Sequence, residues 1–267
     1  MLEGLSGATR VYFIVGHPIA QVKAPAGMSR MFAERGRDAI CVPLDVASAD
    51  FDDFLAVAAA ARNVDGLVIT VPHKFAATCG CATVSARTEL LRSCNIMRRN
   101  RDRSWHGDML DGLGSVGAMR AKGGRIEGCR ALLVGAGGAG SAIGLALLDA
   151  GVATLAVHDM DAGRRDALIA RLASRHGTKV SAGSADPAGF DIVSNATPTG
   201  MGPGDPLPVD VERLERHAFV ADAITVPEIT PLLQAARGLG CAISTGVDMF
   251  EAERGAMFDF WFPADAA

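Results

Sequence analysis

Apolar residues along this chain fall in short blocks separated by amphipathic stretches. Val11-Tyr12-Phe13-Ile14-Val15 is a continuous apolar run of strand length and reads as a buried strand. From Pro25 to Arg35, Met28, Met31 and Phe32 recur at helical spacing and mark one apolar face. Ala39 to Leu44 reads as a second strand, and Phe51 to Arg62 as an Ala-rich amphipathic helix. Gly66 to Val71 reads as a third strand, stopped by Pro72. Strands alternating with helices predict a mostly parallel α/β sheet. This layer ends near His106-Gly107, and a helix beginning near Asp111 leads out of it.

The pattern then repeats. Ala131–Val134, Thr154–His158, Lys179–Ala182, Ile192–Ser194, Phe219–Ala221 and Ala242–Ser244 read as strands with helical stretches between them. The stretch from Asp248 to Trp261 reads as a helix carrying Met249, Phe250, Met257, Phe258 and Phe260, so it needs a surface to cover. The expected fold is two three-layer α/β domains. Residues 1–107 form the first, with 248–267 returning to it, and 108–247 form the second.

The second unit opens on Gly135-Ala136-Gly137-Gly138-Ala139-Gly140, between the apolar run Ala131–Val134 and the helical stretch Ser141–Leu148. Asp159 stands directly after the next strand. Strand, glycines, helix, second strand and acid in that order form the dinucleotide-binding fingerprint of a Rossmann domain. Gly135 permits the tight turn, Gly137 lets the backbone approach a pyrophosphate, and Gly140 lets the helix pack closely. The helix N-terminus offers N–H groups to the phosphates. Asp159 suits the hydroxyls of an adenosine ribose and repels a 2′-phosphate. No arginine occupies 158–163, although Arg164 and Arg165 follow. NAD is therefore the expected cofactor, with NADP the less favoured one.

Composition narrows the class. Hydrophobic residues make up 49% and charged residues 21%, and the net charge is −4 with no basic tract, which speaks against nucleic acid as a partner. No apolar run reaches membrane-spanning length, and Met1-Leu2-Glu3-Gly4 begins no secretory signal, so neither a membrane nor a leader is expected. The cysteines at 41, 79, 81, 94, 129 and 241 show no CxxC spacing and read as reduced, mostly buried thiols of a cytoplasmic protein. The histidines are scattered without a metal signature, and no metal is expected.

Three polar clusters carry candidate chemistry. Thr70 and Lys74 lie in Ile69-Thr70-Val71-Pro72-His73-Lys74, at the end of a strand, where open α/β sheets bind ligands. Asn95 lies in Ser93-Cys94-Asn95-Ile96, and Asp111 in Gly107-Asp108-Met109-Leu110-Asp111-Gly112. Singly, each has a plain structural reading: a surface lysine, a turn asparagine, a helix-capping aspartate.

Together, in this order, the motifs resemble the shikimate dehydrogenase family, including its quinate/shikimate branch. The resemblance runs through Val15-Gly16-His17-Pro18-Ile19 with Pro25, Thr70–Lys74, Asn95, Asp111-Gly112 and Gly135–Gly140. It continues through Asn195-Ala196-Thr197-Pro198-Thr199-Gly200-Met201 and Thr230-Pro231-Leu232-Leu233 to Gly246-Val247-Asp248-Met249. It implies a site in the cleft between two domains and a lysine–aspartate pair at the reacting hydroxyl, matching Lys74 and Asp111. It also implies substrate contacts at Thr70 and Asn95, and cofactor contacts at Ala196, Thr197, Ala223 and Gly246.

The departures from the family pattern concentrate in the substrate pocket. The serines that hold the substrate carboxylate in the family are matched here by Val22 and Ala24, within Gln21-Val22-Lys23-Ala24-Pro25. On an extended segment these two would face the same side. The asparagine usually found before the threonine is Val68, and the Asn-Thr before the aspartate is Met109-Leu110. The late glutamine is Glu253, and the late tyrosine is Thr225. Retained catalytic and cofactor motifs beside altered substrate contacts imply hydride transfer to a changed substrate: shikimate, quinate or a related polyhydroxylated cyclic acid. Lys74 is the expected acid–base and Asp111 its orienting partner. The competing reading is a catalytically silent NAD-binding sensor, against which the retention of Lys74 and Asp111 counts. A folate-type NAD dehydrogenase fits the Asn195–Met201 motif less well. A monomer or homodimer is expected.

Overall fold

The structure, a computed structural model, describes residues 5–263. Residues 1–4, on which the expectation about a leader rests, lie outside it. The chain divides into two compact units, one holding residues up to Leu110 and from Arg254 onward, the other Asp111–Glu253. These borders fall later than 107/108 and 247/248. Met109 and Leu110 are buried, and the Leu110 N–H donates to Asn95 Oδ1 at 2.7 Å, which keeps them in the first unit. The early part of the last helix packs within the second unit, so the second border falls inside a helix.

The first unit runs β1 (Arg10–Gly16), α1 (Ala24–Glu34), β2 (Ala39–Asp45), α2 (Phe51–Ala60), β3 (Val64–Ile69), α3 (Lys74–Cys79), β4 (Thr83–Val84), α4 (Ala86–Leu91), β5 (Ile96–Arg99) and β6 (Trp105–Asp108). Its sheet has the order β2-β1-β3-β5-β6-β4. β1 pairs parallel with β2 and β3, whereas β5 runs antiparallel to both β3 and β6. The core beneath it gathers Val15, Phe51, Leu67, Ile69 and Met97.

Reversal of β5 matters for position. Its first residues sit beside the last residues of β3: Val68 pairs with Ile96, and the Ile69 N–H donates to the Asn95 carbonyl at 2.7 Å. The start of β5 and the end of β6 therefore share one edge of the sheet with the carboxyl ends of β1 and β3.

The second unit runs α5 (Asp111–Ala121), β7 (Arg130–Val134), α6 (Gly138–Asp149), β8 (Thr154–His158), α7 (Ala162–His176), β9 (Val180–Ala182), β10 (Ile192–Asn195), β11 (Phe219–Asp222), α8 (Pro231–Leu239), β12 (Ala242–Ser244) and α9 (Gly246–Trp261). All its strands are parallel, in the order β12-β11-β10-β7-β8-β9. The order reverses between β7 and β10, the topological switch point at which such sheets bind dinucleotides.

The end of α9 covers the first unit's sheet. The Trp261 Nε1–H donates to the Met97 carbonyl at 3.0 Å, and the indole lies 4.6 Å from the Tyr12 ring. Gly66 makes room for it, since a Cβ there would stand 2.5 Å from Nε1. Phe258 packs on Phe32 with ring centroids 6.4 Å apart. Burying aromatic and aliphatic side chains of this size stabilises by about 1.5–3 kcal/mol each. No helix among the described residues is long and apolar enough to cross a membrane.

Candidate active site

In the first unit the polar candidates assemble along the shared sheet edge. Thr70 follows β3, and its N–H donates to the Val15 carbonyl at 2.9 Å. Gly16 permits this approach, because a Cβ there would meet Thr70 Cγ2 at 2.3 Å and the Val71 carbonyl at 2.7 Å. Lys74 opens α3 and is 9% exposed. Its carbonyl accepts from the Cys94 N–H at 2.8 Å, which ties the start of α3 to the residue before Asn95. Asn95 is buried and bridges strands: its N–H donates to the Asp108 carbonyl at 3.0 Å, and its Oδ1 accepts from Leu110. Thr70, Lys74 and Asn95 are thus held on one framework.

The turn after Asn95's partner strand has its own anchor, which sequence reasoning missed. The Asp108 carboxylate accepts from Arg87 Nε at 2.7 Å, Arg87 Nη2 at 2.8 Å and the Met109 N–H at 2.7 Å, and the Ser85 hydroxyl donates to it. Burial alone would raise the Asp108 carboxyl. The Arg87 guanidinium and the Ser85 hydroxyl outweigh it and hold the group below the usual carboxylate range. This fixes the chain immediately before Asp111.

Val22 and Ala24 do not lie on an extended segment. Lys23 has φ −102° and ψ −19° and caps α1, Ala24 is the first helical residue, and Pro25 sits in the first turn. Proline favours that first turn because its fixed φ suits the helix and its missing N–H costs nothing there. Val22 and Ala24 therefore do not share one face of an extended segment, contrary to what their alternation suggests. Ala24 is buried, Val22 half-buried, and neither offers a hydroxyl.

In the second unit, Asp111 opens α5 and is buried. Helix α5 packs closely on two neighbours through glycines. A Cβ at Gly112 would stand 2.2 Å from the Ala142 carbonyl of α6, and one at Gly114 would stand 2.8 Å from Glu253 Cβ of α9. Asp111 and Glu253 therefore belong to packed helices, and Lys122, directly after α5, pairs with Asp248 of α9 at 2.9 Å.

The dinucleotide candidates all follow carboxyl ends of parallel strands. Gly135 (φ +103°) turns the chain after β7, Gly137 caps α6 without a side chain, and Gly138 and Ala139 begin the helix. A Cβ at Gly140 would stand 1.9 Å from the Gly135 carbonyl, whereas one at Gly137 would meet nothing within 4 Å. Gly140 thus closes the loop on itself, and Gly137 leaves open space in front of a helix N-terminus. Asp159, after β8, accepts from the Ala136 N–H at 2.7 Å and the Asp161 N–H at 2.9 Å. The loop amide at Ala136 is therefore engaged by Asp159 and does not face a phosphate as a free donor.

After β10, Ala196 and Thr197 are held by Asn195, whose Oδ1 accepts from the Thr197 N–H at 3.0 Å and Oγ1 at 2.7 Å. Asn195 Nδ2 in turn donates to Asp222 Oδ1 at 3.1 Å. That carboxyl also accepts from the Ile224 N–H at 3.0 Å and the Thr230 hydroxyl at 2.7 Å. Burial pushes Asp222 up to about 6 against these donors. The network, also missed from sequence, fixes the loops bearing Thr197 and Ala223. Gly246 lies against the latter, where a Cβ would stand 2.5 Å from the Ala223 carbonyl. A glycine cradle, an open N-terminus at the switch point and an acid at the neighbouring strand end fit a nicotinamide dinucleotide. Among the described residues no group of three or more His, Cys, Asp or Glu is arranged to hold a metal ion.

Known proteins resemble this chain in sequence and in fold. Residues 14–97 match the family model described as the shikimate dehydrogenase substrate binding domain. The chain is 32% identical to a shikimate dehydrogenase (NADP(+)) of Geobacter sulfurreducens, over 96% of this chain and 92% of that one. Its fold is similar to that of quinate dehydrogenase from Corynebacterium glutamicum in complex with NAD (TM-score 0.84, 28% identity, 95% and 93% of the two chains). It is also similar to that of ligand-free 5-ketofructose reductase of Gluconobacter sp. strain CHM43 (TM-score 0.83, 25% identity, 95% and 92%).

Proposed function

We infer that this chain, which belongs to the shikimate dehydrogenase family and is an NAD(P)-dependent dehydrogenase acting on a CH–OH group, takes a hydroxylated cyclic acid in a pocket altered from the family's. Shikimate, quinate or a relative of them is the substrate class, and NAD is the preferred cofactor. The observation that carries the altered pocket is the start of α1: half-buried Val22 and buried Ala24 stand where the family has two carboxylate-binding hydroxyls. A carboxylate held there would lose two hydrogen bonds, each worth about 1.5–3 kcal/mol for a charged partner. The similarity to 5-ketofructose reductase supports a fold that tolerates a substrate without a carboxylate.

The reaction asks for few groups. Lys74 takes the hydroxyl proton in the oxidising direction and returns it in the other. Asp111 matches the carboxylate that the family pairs with that lysine. Thr70, Asn95 and Glu253 contribute polar contacts to the ring. Gly135–Gly140 and the α6 N-terminus hold the pyrophosphate, and Thr197, Ala196, Ala223 and Gly246 line the nicotinamide side. The bound dinucleotide supplies hydride acceptance and donation at its nicotinamide ring.

NAD preference rests on charge. Asp159 follows β8, Asp161 caps α7, and the nearby Arg164 and Arg165 are paired with Asp161 at 3.8 Å and Asp166 at 2.8 Å. A 2′-phosphate would meet two carboxylates before a cation. The Geobacter sulfurreducens relative carries NADP in its name, and the Corynebacterium glutamicum quinate dehydrogenase structure contains NAD, so the family spans both. A panel of shikimate, quinate and neutral polyols, each run with NAD and NADP, tests the proposal. Turnover of a ring acid with higher efficiency on NAD is expected. Preference for NADP overturns the cofactor reading, and turnover of neutral polyols alone overturns the acid.

A further inference from the structure

Cys81 follows α3, and Cys94 immediately precedes Asn95. Both sulfurs lie over the bare Cα of Gly107 in β6, where a Cβ would stand 2.6 Å from Cys81 Sγ and 2.9 Å from Cys94 Sγ. Each thiol donates to a backbone carbonyl beside it, Cys81 to Ala77 at 3.3 Å and Cys94 to Ile96 at 3.2 Å. Cys94 is fully buried and Cys81 only partly so. Two thiols gathered over one glycine, one of them reachable from solvent, are the arrangement from which a disulfide can form, the bond needing sulfurs about 2.05 Å apart.

We propose that Cys81 and Cys94 are an oxidative modification site, converted by a hydroperoxide into an intramolecular disulfide that reversibly lowers turnover. The Cys81 sulfur attacks the peroxide, the O–O bond breaks, and water or an alcohol leaves, giving a sulfenic acid at Cys81. Cys94 sulfur then displaces the hydroxyl, forming the S–S bond and releasing water. Two electrons pass from the two thiols to the peroxide. The neighbouring Cys94 side chain holds the Cys81 thiol below the usual range, and Cys81 together with burial raises Cys94, which suits Cys81 as the attacking group.

The consequence follows from what Cys94 touches. Its N–H donates to the Lys74 carbonyl at 2.8 Å, and its neighbour Asn95 holds the Leu110 N–H at 2.7 Å. Drawing the Cys94 sulfur onto Cys81 pulls on both connections. The effect on turnover rests on the roles proposed above for Lys74 and Asn95; the formation of the disulfide does not.

The test treats the purified full-length protein with hydrogen peroxide or dithiothreitol, then maps tryptic peptides without reduction. Cys79 and Cys81 share one tryptic peptide, so Cys79→Ser assigns the link. The expected result is a Cys81–Cys94 linked peptide and a loss of turnover of about tenfold to a hundredfold, restored by dithiothreitol, with NAD affinity unchanged. Cys81→Ser should resist the loss and Cys79→Ser should not. Absence of the linked peptide, or equal inactivation of Cys81→Ser, overturns the proposal, and a linked peptide with unaltered turnover overturns its regulatory part. If reduced protein turns over no alcohol, the functional reading fails while the peptide map still decides whether the disulfide forms.

Discussion

Alanine at Gly140 would put a methyl group 1.9 Å from the Gly135 carbonyl oxygen and 2.9 Å from its carbon. Ordinary contact between such atoms begins near 3.4 Å, so the approach is about 1.5 Å too short. Both partners are backbone, one in the first turn of α6 and the other at a φ of +103°, so no flexible side chain can absorb the clash. The helix end and the loop must separate, at a cost of about 1–3 kcal/mol or more. Paid from binding, that is about a tenfold to hundredfold loss of dinucleotide affinity. Titration calorimetry with NAD and NADP reads the affinity, and thermal melting shows how much of the cost falls on stability. Gly137→Ala is the companion variant: its Cβ meets nothing within 4 Å of the protein, so melting should hold while binding falls. Gly140→Ala with affinity within twofold of wild type and an unchanged melting temperature would refute the cradle assigned to residues 135–140.

Asp159→Ala should weaken NAD binding and narrow the gap to NADP, because it removes both a ribose acceptor and the carboxylate that holds the Ala136 N–H; relative efficiencies with the two cofactors decide this, and an unmoved ratio counts against it. Val22→Ser with Ala24→Ser should raise efficiency toward shikimate more than either change alone, read from Michaelis constants; no gain from the pair sinks the account of that pocket. Asp222 has a folded value of about 6 against an ordinary 3.8, so its stabilising contribution is full below pH 3.8 and is lost as pH rises through 6. Denaturation of wild type and Asp222→Asn across that window should therefore show the variant gaining on wild type as pH rises, and a pH-independent difference contradicts the assignment.

Legibility in the sequence followed contiguity. The dinucleotide loop was readable because strand, glycines, helix and acid sit in one stretch, each constrained by its own steric demand, and the strands of the second sheet stood out as apolar runs. Elements α3, β4, α4, β5 and β6 were not readable, because they are short and carry polar residues such as Arg98, Arg99, His106 and Asp108 at strand positions. The supports of the site were hidden for another reason. Asp108 with Arg87 and Ser85, Asp222 with Asn195 and Thr230, and Cys81 with Cys94 join residues that only the folded sheet brings together. The start of α1 misled because Val22 and Ala24 alternate as strand residues do, while Pro25 commits the chain to a helix there. The second border between the units interrupts no sequence pattern, because it lies inside the continuous helix α9.

In the proposed reaction Lys74 carries the proton of the reacting hydroxyl, and the second unit holds the dinucleotide independently of it. Lys74→Ala, measured for turnover of the best substrate in the panel and for NAD affinity by calorimetry, tests this most directly. Turnover should fall by about two to four orders of magnitude, the range for loss of a general acid–base, with NAD affinity nearly unchanged. Near-normal turnover in Lys74→Ala would remove that residue from the chemistry.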